Sequence, residues 1–598
     1  MPVDAPYAQT RESPWYATIG RLHADATPAR ARENLVAVQA RLAEQYPQTD
    51  RGIDIRVVPL KQSTVAEVGA SLWLLFGAAS VLLLVACTNI AALLLSRGAH
   101  RREELAVRQS LGASRAAVVA QLLTETAVLA VAGGAVGLMA AAGAMGALRS
   151  AGAELPRFDE VAIDGRVLLY ALASTIVVAV ACGLLPALRT VGFGALRGGR
   201  TQVSTRTSAQ WLMVGAQVAL SVALLAGAGL LVRSFHALSK VDPGFDTRNV
   251  FSFRVSGSWG ETGDYAALVQ RIDRTIDALA SMPGVEAAAT SGWELPGVPT
   301  QWQTTFELVE ASSAGQPIVA EGRMVSPQYF ATMRIPLLAG EPCRQRALPT
   351  DANAPGWDVM VSREFVARYL SEWPTPVGLH VREAGRPASR ITGVVGDARE
   401  RGLDREPGPT VYWCFSAPTP IPYFVIRTRG EPEALAENVR RLMKDLEPLR
   451  SVYDVAPLAE RIGDAFAENR LRMAVLALYA ASALSLACIG LYGTLSYNIS
   501  LRRREVGLRL ALGAMRRAIV GHFLARALSL VALACLCGVA LSIASARLLA
   551  GMLFGISPAD PLTLLAVSAI VMAVATLAVL IPAARAAFVD PVRALRDH

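Results

Sequence analysis

The sequence predicts an α-helical membrane protein with seven transmembrane helices in two repeated bundles and an α+β domain outside the membrane. Three observations support this fold class. First, 53% of the 598 residues are hydrophobic and 18% are charged, which is too apolar for an ordinary soluble chain of this length. Second, apolar stretches of membrane-spanning length recur along the chain. Third, one short basic segment occurs twice, each time between two apolar stretches.

Seven apolar stretches are long enough to cross a bilayer, which takes about 20 residues of helix. They cover residues 69–96, 117–148, 167–188, 210–232, 471–498, 517–549 and 562–587. The loops 97–116, 189–209 and 499–517 are rich in arginine, whereas the connector 149–166 is acidic. Because basic loops remain in the cytoplasm, these three loops are expected inside the cell and the long polar stretch 233–470 outside.

The net charge of +9 does not indicate a nucleic-acid partner, because the arginines lie in short loops beside apolar segments. The lipid bilayer is the expected partner of these loops. The sequence has no G-x-x-x-x-G-K-[ST] loop for ATP phosphates and no histidine or cysteine spacing typical of a metal site. We therefore expect that the chain is not an enzyme and that it has no cofactor, no metal and no catalytic residue.

The duplicated basic segment is the clearest functional signal. Residues 101–115 read RREELAVRQSLGASR and residues 502–516 read RRREVGLRLALGAMR, 401 positions later. In each copy a glutamate precedes an arginine by four residues, which supports a short helix, and a glycine can end that helix. The residue chemistry leaves two interpretations open. The segment is either a surface helix that a cytoplasmic ATPase pushes or a basic helix that only anchors the topology.

These segments and their places in the chain resemble the MacB/FtsX-like permease family, the membrane half of a class of ABC systems. Residues 337–340, 377–378 and 393–397 of the external stretch also follow that family's pattern. The duplicated layout without an attached ATPase is most similar to the duplicated orphan permeases of acidobacterial type. The resemblance implies a porter-like periplasmic domain of βαβ units with a strand-rich inserted subdomain between them.

The resemblance also favours the coupling interpretation of the two basic loops. The residues expected to receive force from an ATPase in trans are Arg101, Arg102, Glu104, Arg108, Leu111 and Gly112 in the first loop, and Arg502, Arg503, Glu505, Arg509, Leu512 and Gly513 in the second.

The external stretch contains strand–helix–strand patterns at 250–289 and 422–457, which are expected to pair into one sheet packed on two helices. A third such pattern, at 16–60, has two predicted strands, Tyr16 to Leu22 and Ile53 to Leu60, but no partner unit. An external N-terminal segment without a signal peptide is hard to export. We therefore expect this chain to be an N-terminally truncated copy.

The expected organisation has six parts. They are a remnant of a first periplasmic domain (1–68), a first FtsX-like three-helix unit (69–190), a cytoplasmic linker (191–209), a helix that opens the second repeat (210–232), a second, MacB-like periplasmic domain (233–470) and a second FtsX-like three-helix unit (471–598).

Cys343 and Cys414 are the only cysteines of the external stretch. An oxidising periplasm would allow them to form a disulfide, and two unpaired thiols are the alternative.

The expected function is an inner-membrane permease subunit that couples ATP hydrolysis by a separate ATPase to motion of the periplasmic domain. The alternative is a membrane scaffold or sensor that regulates a periplasmic enzyme or another periplasmic partner.

Overall fold

A computed structural model describes most of the chain as two compact units. The first unit contains the described residues up to Ala66 together with Lys240–Phe466, and the second contains Glu67–Ser239 and the described residues from Ala467 onward. The described residues are 18–47, 50, 53–100, 114–150, 162–191, 201–298, 303–310, 318–344, 356–383, 387–417, 419–501, 505–506, 508–509, 512, 514–549, 551 and 553–587.

The regular elements are given in chain order. The helices are α1 (Pro28–Gln45), α2 (Leu60–His100), α3 (Arg115–Ser150), α4 (Gly165–Val191), α5 (Thr201–Ser239), α6 (Tyr265–Ala280), α7 (Tyr329–Met333), α8 (Arg363–Tyr369), α9 (Glu433–Leu446), α10 (Leu458–Ala465), α11 (Ala467–Leu501), α12 (Arg516–Leu549) and α13 (Pro561–Ala587). The strands are β1 (Val250–Val255), β2 (Val285–Ser291), β3 (Gln303–Leu308), β4 (Ile318–Val325), β5 (Leu337–Gly340), β6 (Asp358–Ser362), β7 (His380–Glu383), β8 (Ser389–Val395), β9 (Thr410–Cys414), β10 (Tyr423–Thr428) and β11 (Val452–Pro457).

The second unit is helical, and six of its described helical segments are long and apolar enough to cross a membrane. They are Ser71–Leu94, Leu123–Ala147, Gln210–Ser239, Asn469–Ile499, Arg516–Ser545 and Pro561–Arg585. Each coincides with a predicted span. The predicted span 167–188 falls in α4, whose described apolar part, Gly165–Val180, is shorter. The chain is therefore a multi-pass membrane protein, and its seventh span stays a prediction.

Small residues allow the helices of this unit to pack closely. A Cβ added to Gly538 of α12 would lie 2.6 Å from the backbone oxygen of Ala219 in α5, so these two backbones are almost in contact. A Cβ on Gly134 of α3 would lie 3.0 Å from Thr175 Oγ1 of α4. Close contact of this kind drives helix association in lipid, where apolar side chains gain nothing by leaving the tails.

The first unit contains the polar domain, residues 240–466, and the two predicted βαβ patterns meet there in one sheet. The strand order is β11-β1-β10-β2, and all three pairings are antiparallel. Each βαβ unit therefore places one strand between the two strands of the other unit, the split βαβ arrangement. The apolar faces of α6 and α9 cover one side of this sheet, as the sequence predicted.

The inserted part of the polar domain closes on itself. Neighbouring strands pair in the order β4-β3-β7-β8-β6-β9, and β9 pairs with β4 again, so six strands form a small barrel. Its interior is filled by apolar side chains that include Phe306 and Trp413, whose ring centroids lie 5.4 Å apart. The strand-rich inserted subdomain is thus a closed barrel next to the βαβ sheet.

Cys343, three residues after β5, and Cys414, at the end of β9, form a disulfide with a Cα–Cα distance of 6.0 Å. Both residues are buried. The bridge closes a loop with a sequence separation of 71 residues across the barrel.

The strand–helix–strand prediction at 16–60 is confirmed for its helix and wrong for the described parts of its two strands. The helix forms as α1, and the Thr27 side chain accepts a hydrogen bond from the Arg30 N–H at 3.3 Å as its N-cap. The described residues 18–22 and 53–59 are not strands, and Leu60 already begins α2. A strand needs a neighbour for its backbone hydrogen bonds, and within the described residues none pairs with these segments.

Candidate functional site

The described part of the second basic loop forms the short helical turn that the sequence predicted. Glu505, Val506, Leu508 and Arg509 are helical. The Arg509 guanidinium donates to Glu505 Oε1 at 2.6 Å, an i,i+4 ion pair on the exposed side of the turn. The Leu512 N–H donates to the Leu508 carbonyl at 3.0 Å, which carries the turn forward to Leu512. An exposed pair of this kind stabilises a helix by about 0.3–0.5 kcal/mol, so it favours the turn without fixing it alone.

A groove of about 240 Å³ separates this turn from the first turns of α12. Its lining residues are Glu505, Val506, Arg509, Ala514, Ala518, Ile519, His522 and Phe523. The floor of the groove is apolar, because Val506, Ile519 and Phe523 are all buried in the core of the second bundle. The ion pair of the turn forms its polar rim.

Three large apolar side chains near this groove face outward. Leu512 is 80% exposed, Met515 74% and Leu508 53%. Exposed apolar side chains next to a charged rim are typical of a surface that another molecule covers. The sequence identified Leu512 through the repeat but missed Leu508 and Met515. The signal for Leu508 was its i,i+4 spacing from Leu512 on one side of the turn.

The other nine predicted loop residues lie outside the described residues. They are Arg101, Arg102, Glu104, Arg108, Leu111, Gly112, Arg502, Arg503 and Gly513.

The polar domain has a charged cluster that the sequence did not reveal. Arg271 and Arg450 each contact both Glu261 and Glu447, with N–O distances of 2.6–3.4 Å. The four side chains line a cavity of about 550 Å³ between the β1–α6 loop and the α9–β11 loop. Burial lowers the pKa of Arg271, against the opposing effect of the two carboxylates. Because the charges are mutually paired, the cluster ties two loops together.

A second cluster is buried between β4, β9 and the segment before β9. Arg401 Nε lies 2.6 Å from Glu321 Oε1, and Arg323 Nε lies 3.3 Å from Glu400 Oε2. The Tyr412 hydroxyl donates to Glu400 Oε1 at 2.8 Å. Burial raises the pKa of Glu321 above its usual value and raises the pKa of Tyr412 well above its usual value. Among the described residues, no group of three or more histidine, cysteine, aspartate or glutamate side chains could hold a metal ion.

Two parts of the membrane region match a known protein family. Residues 76–194 and 477–591 each match the FtsX-like permease C-terminal family. The chain carries two FtsX-like permease regions. The matches begin at residues 76 and 477, which are 401 residues apart, the same offset as the two basic segments. The described groove and its exposed leucines lie inside the second FtsX-like region.

Comparison with solved structures gives distant neighbours. The periplasmic region of MacB from Actinobacillus actinomycetemcomitans is similar at 12% identity and a TM-score of 0.25, covering 38% of this chain and 95% of that one. The extracellular domain of the noncanonic ABC-type transporter YknZ from Gram-positive bacteria is similar at 14% identity and a TM-score of 0.22, covering 34% of this chain and all of that one. A search of curated proteins finds no match.

Proposed function

We propose that this chain is the membrane subunit of an ABC system in the bacterial inner membrane. A separate ATPase would bind its cytoplasmic loops, and ATP hydrolysis would move the polar domain, residues 240–466, on the periplasmic side. The substrate would be exported or extracted by this movement without passing through a pore of the chain. The single observation that carries the proposal is the pair of FtsX-like regions in a multi-pass membrane protein.

The ATPase-binding surface in this proposal is the turn at 505–509 and the groove beside it. An apolar floor, a charged rim and exposed leucines combine the features of a protein-binding surface: an apolar anchor site surrounded by polar groups. The loop also lies on the side of the membrane where ATP is available, because its arginines favour the cytoplasm.

The two basic segments suggest how one chain could serve a dimeric ATPase. Symmetric assemblies usually present the same patch twice, once from each subunit. Here residues 101–115 and 502–516 would supply the two patches from a single chain, as an internal duplication with an offset of 401 residues. The proposal therefore includes a pseudo-symmetric permease that needs no second permease copy to engage an ATPase pair.

Co-purification tests this function. The full-length protein is extracted from its native membrane in mild detergent, and bound ATP-binding subunits are identified by mass spectrometry. Leu512→Asp places a charge on the exposed apolar surface and should reduce recovery of the ATPase at least about tenfold, the effect of about 1.4 kcal/mol. Leu449→Asp is the matched control, because Leu449 is equally an exposed leucine but lies in the polar domain.

The scaffold interpretation is the other outcome of this experiment. If no ATPase accompanies the wild-type protein in the presence or absence of nucleotide, the basic loops only anchor the topology. The polar domain would then act by binding a periplasmic enzyme or another periplasmic protein.

A further inference from the structure

Three helices of the membrane unit meet at a glycine. Asn89 of α2 and Gln217 of α5 are 4% and 0% exposed beside Gly490 of α11. A Cβ on Gly490 would lie 2.5 Å from Gln217 Oε1 and 3.1 Å from Asn89 Oδ1. The two amide oxygens therefore converge on one point of the α11 backbone, where a glycine leaves room for both.

The amide nitrogens of this junction link the helices. Gln217 Nε2 donates to Thr88 Oγ1 at 2.9 Å, which joins α5 to α2. Asn89 Nδ2 donates to the Leu486 carbonyl at 3.1 Å, which joins α2 to α11. Turning the Asn89 amide over would place its oxygen against the Leu486 oxygen, so the orientation follows from the bond. Polar side chains inside apolar helices commonly make interhelical bonds of this kind.

The amide oxygens of the junction are not satisfied in the same way. Among the described residues, nothing donates a hydrogen bond to Asn89 Oδ1 or to Gln217 Oε1. Leaving a buried acceptor unpaired costs at least as much as one interhelical hydrogen bond gains inside a membrane. One turn further along α5, Ser221 Oγ donates to the Ala483 carbonyl at 3.0 Å without any such loss. The Ser221 bond therefore holds α5 and α11 together at no cost in unsatisfied groups, whereas the Asn89–Gln217 pair leaves two amide oxygens without a donor among the described residues.

The junction lies in the cytoplasmic half of the predicted spans, on the side of the basic loops. Asn89, Gln217 and Gly490 lie seven, seven and eight residues from the predicted cytoplasmic ends of their spans, at residues 96, 210 and 498. At 1.5 Å per helical residue, this corresponds to about 11 Å below the inner surface. A movement of either loop would reach the junction before it reached the outer half of α5 and α11.

We propose that Asn89, Gln217 and Gly490 form a two-state polar junction at which α2 moves relative to α5 and α11. In the described state the oxygens face Gly490. In the second state α2 separates slightly, and both oxygens accept hydrogen bonds from water that enters from the cytoplasmic side. The unsatisfied oxygens keep the two states close in free energy, so that a small force on a loop shifts their populations. The junction deepens the proposed function, but its two states exist without an ATPase.

The test measures the separation of α2 from the rest of the unit in the full-length protein without an ATPase. Leu84 of α2 and Leu577 of α13 are exposed apolar positions that can be changed to cysteine and spin-labelled. The five cysteines outside the disulfide are first replaced by alanine. Pulsed electron–electron double resonance in lipid nanodiscs then gives the distribution of distances between the two spin labels. A thermal melt gives the stability of each variant.

Two variants should shift the populations in opposite directions. Gln217→Leu removes the unsatisfied oxygen that water reaches only in the second state, together with the Nε2 bond to Thr88. With no oxygen left to hydrate, the longer-distance population should fall about fivefold or more, the ratio that corresponds to about 1 kcal/mol. The melting temperature of the Gln217→Leu variant should stay the same or rise. Gly490→Ala forces the two oxygens away from α11, because Gln217 is fully buried and its amide has no solvent to move into. The longer-distance population should rise.

Two further variants serve as controls. Ser221→Ala should lower the melting temperature and leave the distance distribution as it was. Asn498→Leu also removes a buried amide from α11, but the Asn498 Nδ2 donates to the Thr494 carbonyl of the same helix at 2.8 Å, so the distribution should not change.

The proposal is overturned if Gly490→Ala leaves the distribution unchanged. It is also overturned if Gln217→Leu lowers the melting temperature as Ser221→Ala does, since the junction would then be a static clamp. Neither result would affect the ATPase-binding proposal, which the co-purification experiment tests separately.

Discussion

Arg450 and Glu261 form a two-pronged ion pair across the two βαβ units of the polar domain. Arg450 Nη1 lies 2.9 Å from Glu261 Oε1, and Nη2 lies 2.9 Å from Glu261 Oε2. Arg450 belongs to the loop between α9 and β11, and Glu261 to the turn between β1 and α6. Parallel donor and acceptor pairs are the strongest geometry available to these groups. The pair therefore fastens the loops of two units that are more than 180 residues apart in sequence.

The first prediction concerns this pair. Arg450→Ala and Glu261→Gln should each destabilise the protein, and the double variant should lose less than the sum, with a coupling energy of about 1 kcal/mol. Burial opposes ionisation of Glu261, but hydrogen bonds from Arg450 and from the Ser258 N–H hold the pKa of Glu261 below its usual value. The contribution of the pair is therefore present above the unfolded pKa and is lost as the pH falls through the lowered folded pKa.

Thermal unfolding of the full-length variants in detergent, between pH 7 and pH 3, measures this coupling. Arg440→Ala is the matched control, because the ion pair of Arg440 with Glu437, at 3.8 Å, is exposed on both sides. Equal losses from Arg440→Ala and Arg450→Ala would show that the paired geometry contributes nothing.

The second prediction concerns the disulfide. Cys343→Ser should lower stability by up to about 4 kcal/mol in the chain-entropy description, because the bridge closes a long loop. The double variant with Cys414→Ser should lose no more than the single one, since both remove the same bond. Alkylation of the denatured, unreduced protein should leave Cys343 and Cys414 unmodified in a peptide map. Alkylation of both Cys343 and Cys414, in protein whose polar domain has been exported to the periplasm, would contradict the disulfide.

The third prediction concerns Glu321, which is buried beside Arg401. A carboxyl whose folded pKa is raised favours the folded state at low pH, and this contribution is lost as the pH rises through the folded pKa. The stability of the wild type relative to Glu321→Gln should therefore fall between pH 4.5 and pH 7.5. Melting temperatures of the two proteins at the two pH values give the comparison. Glu307→Gln makes the same substitution at an exposed glutamate of β3 and is the control for the change of side chain. A constant difference between wild type and Glu321→Gln at both pH values would refute this prediction.

The fourth prediction concerns topology. Leu449 is 99% exposed in the polar domain, and Leu512 is 80% exposed in the second basic loop. In a background without free cysteines, Leu449→Cys should react with a membrane-impermeant maleimide on intact spheroplasts. Leu512→Cys should react only after permeabilisation, because the arginines of its loop favour the cytoplasm. Labelling of both positions before permeabilisation would place them on the same side and would overturn the orientation.

Local patterns predicted the parts of the fold that depend on local chemistry. Four apolar residues of α6, Leu268, Ile272, Ile276 and Leu279, recur at helical spacing and are all buried. They predicted both the helix and the face that covers the sheet. The same reasoning failed for the described residues 18–22 and 53–59 of the two predicted strands, because an extended segment becomes a strand only when another strand supplies its hydrogen bonds.

Long-range pairs could not be predicted from the sequence. Nothing near Glu261 or Arg450 in the chain indicates their contact, which exists only because the two βαβ units interleave. The same holds for Asn89 and Gln217. Polar residues within apolar helices commonly form interhelical hydrogen bonds, but the convergence of these two oxygens on Gly490 depends on the crossing of three helices. At the candidate site, the repeat predicted Glu505, Arg509 and Leu512, whereas the groove depends on how the turn folds back against α12.

Site-specific photo-crosslinking from position 512 tests whether an ATPase binds the surface around Leu512. A photoreactive amino acid is placed at residue 512, and at residue 449 as the control, in the full-length protein in its native cells. Irradiation should link position 512, but not position 449, to a cytoplasmic ATP-binding subunit. Absence of any ATP-binding protein among the adducts of position 512, or the same adduct from position 449, would contradict the claim that this surface couples the chain to an ATPase.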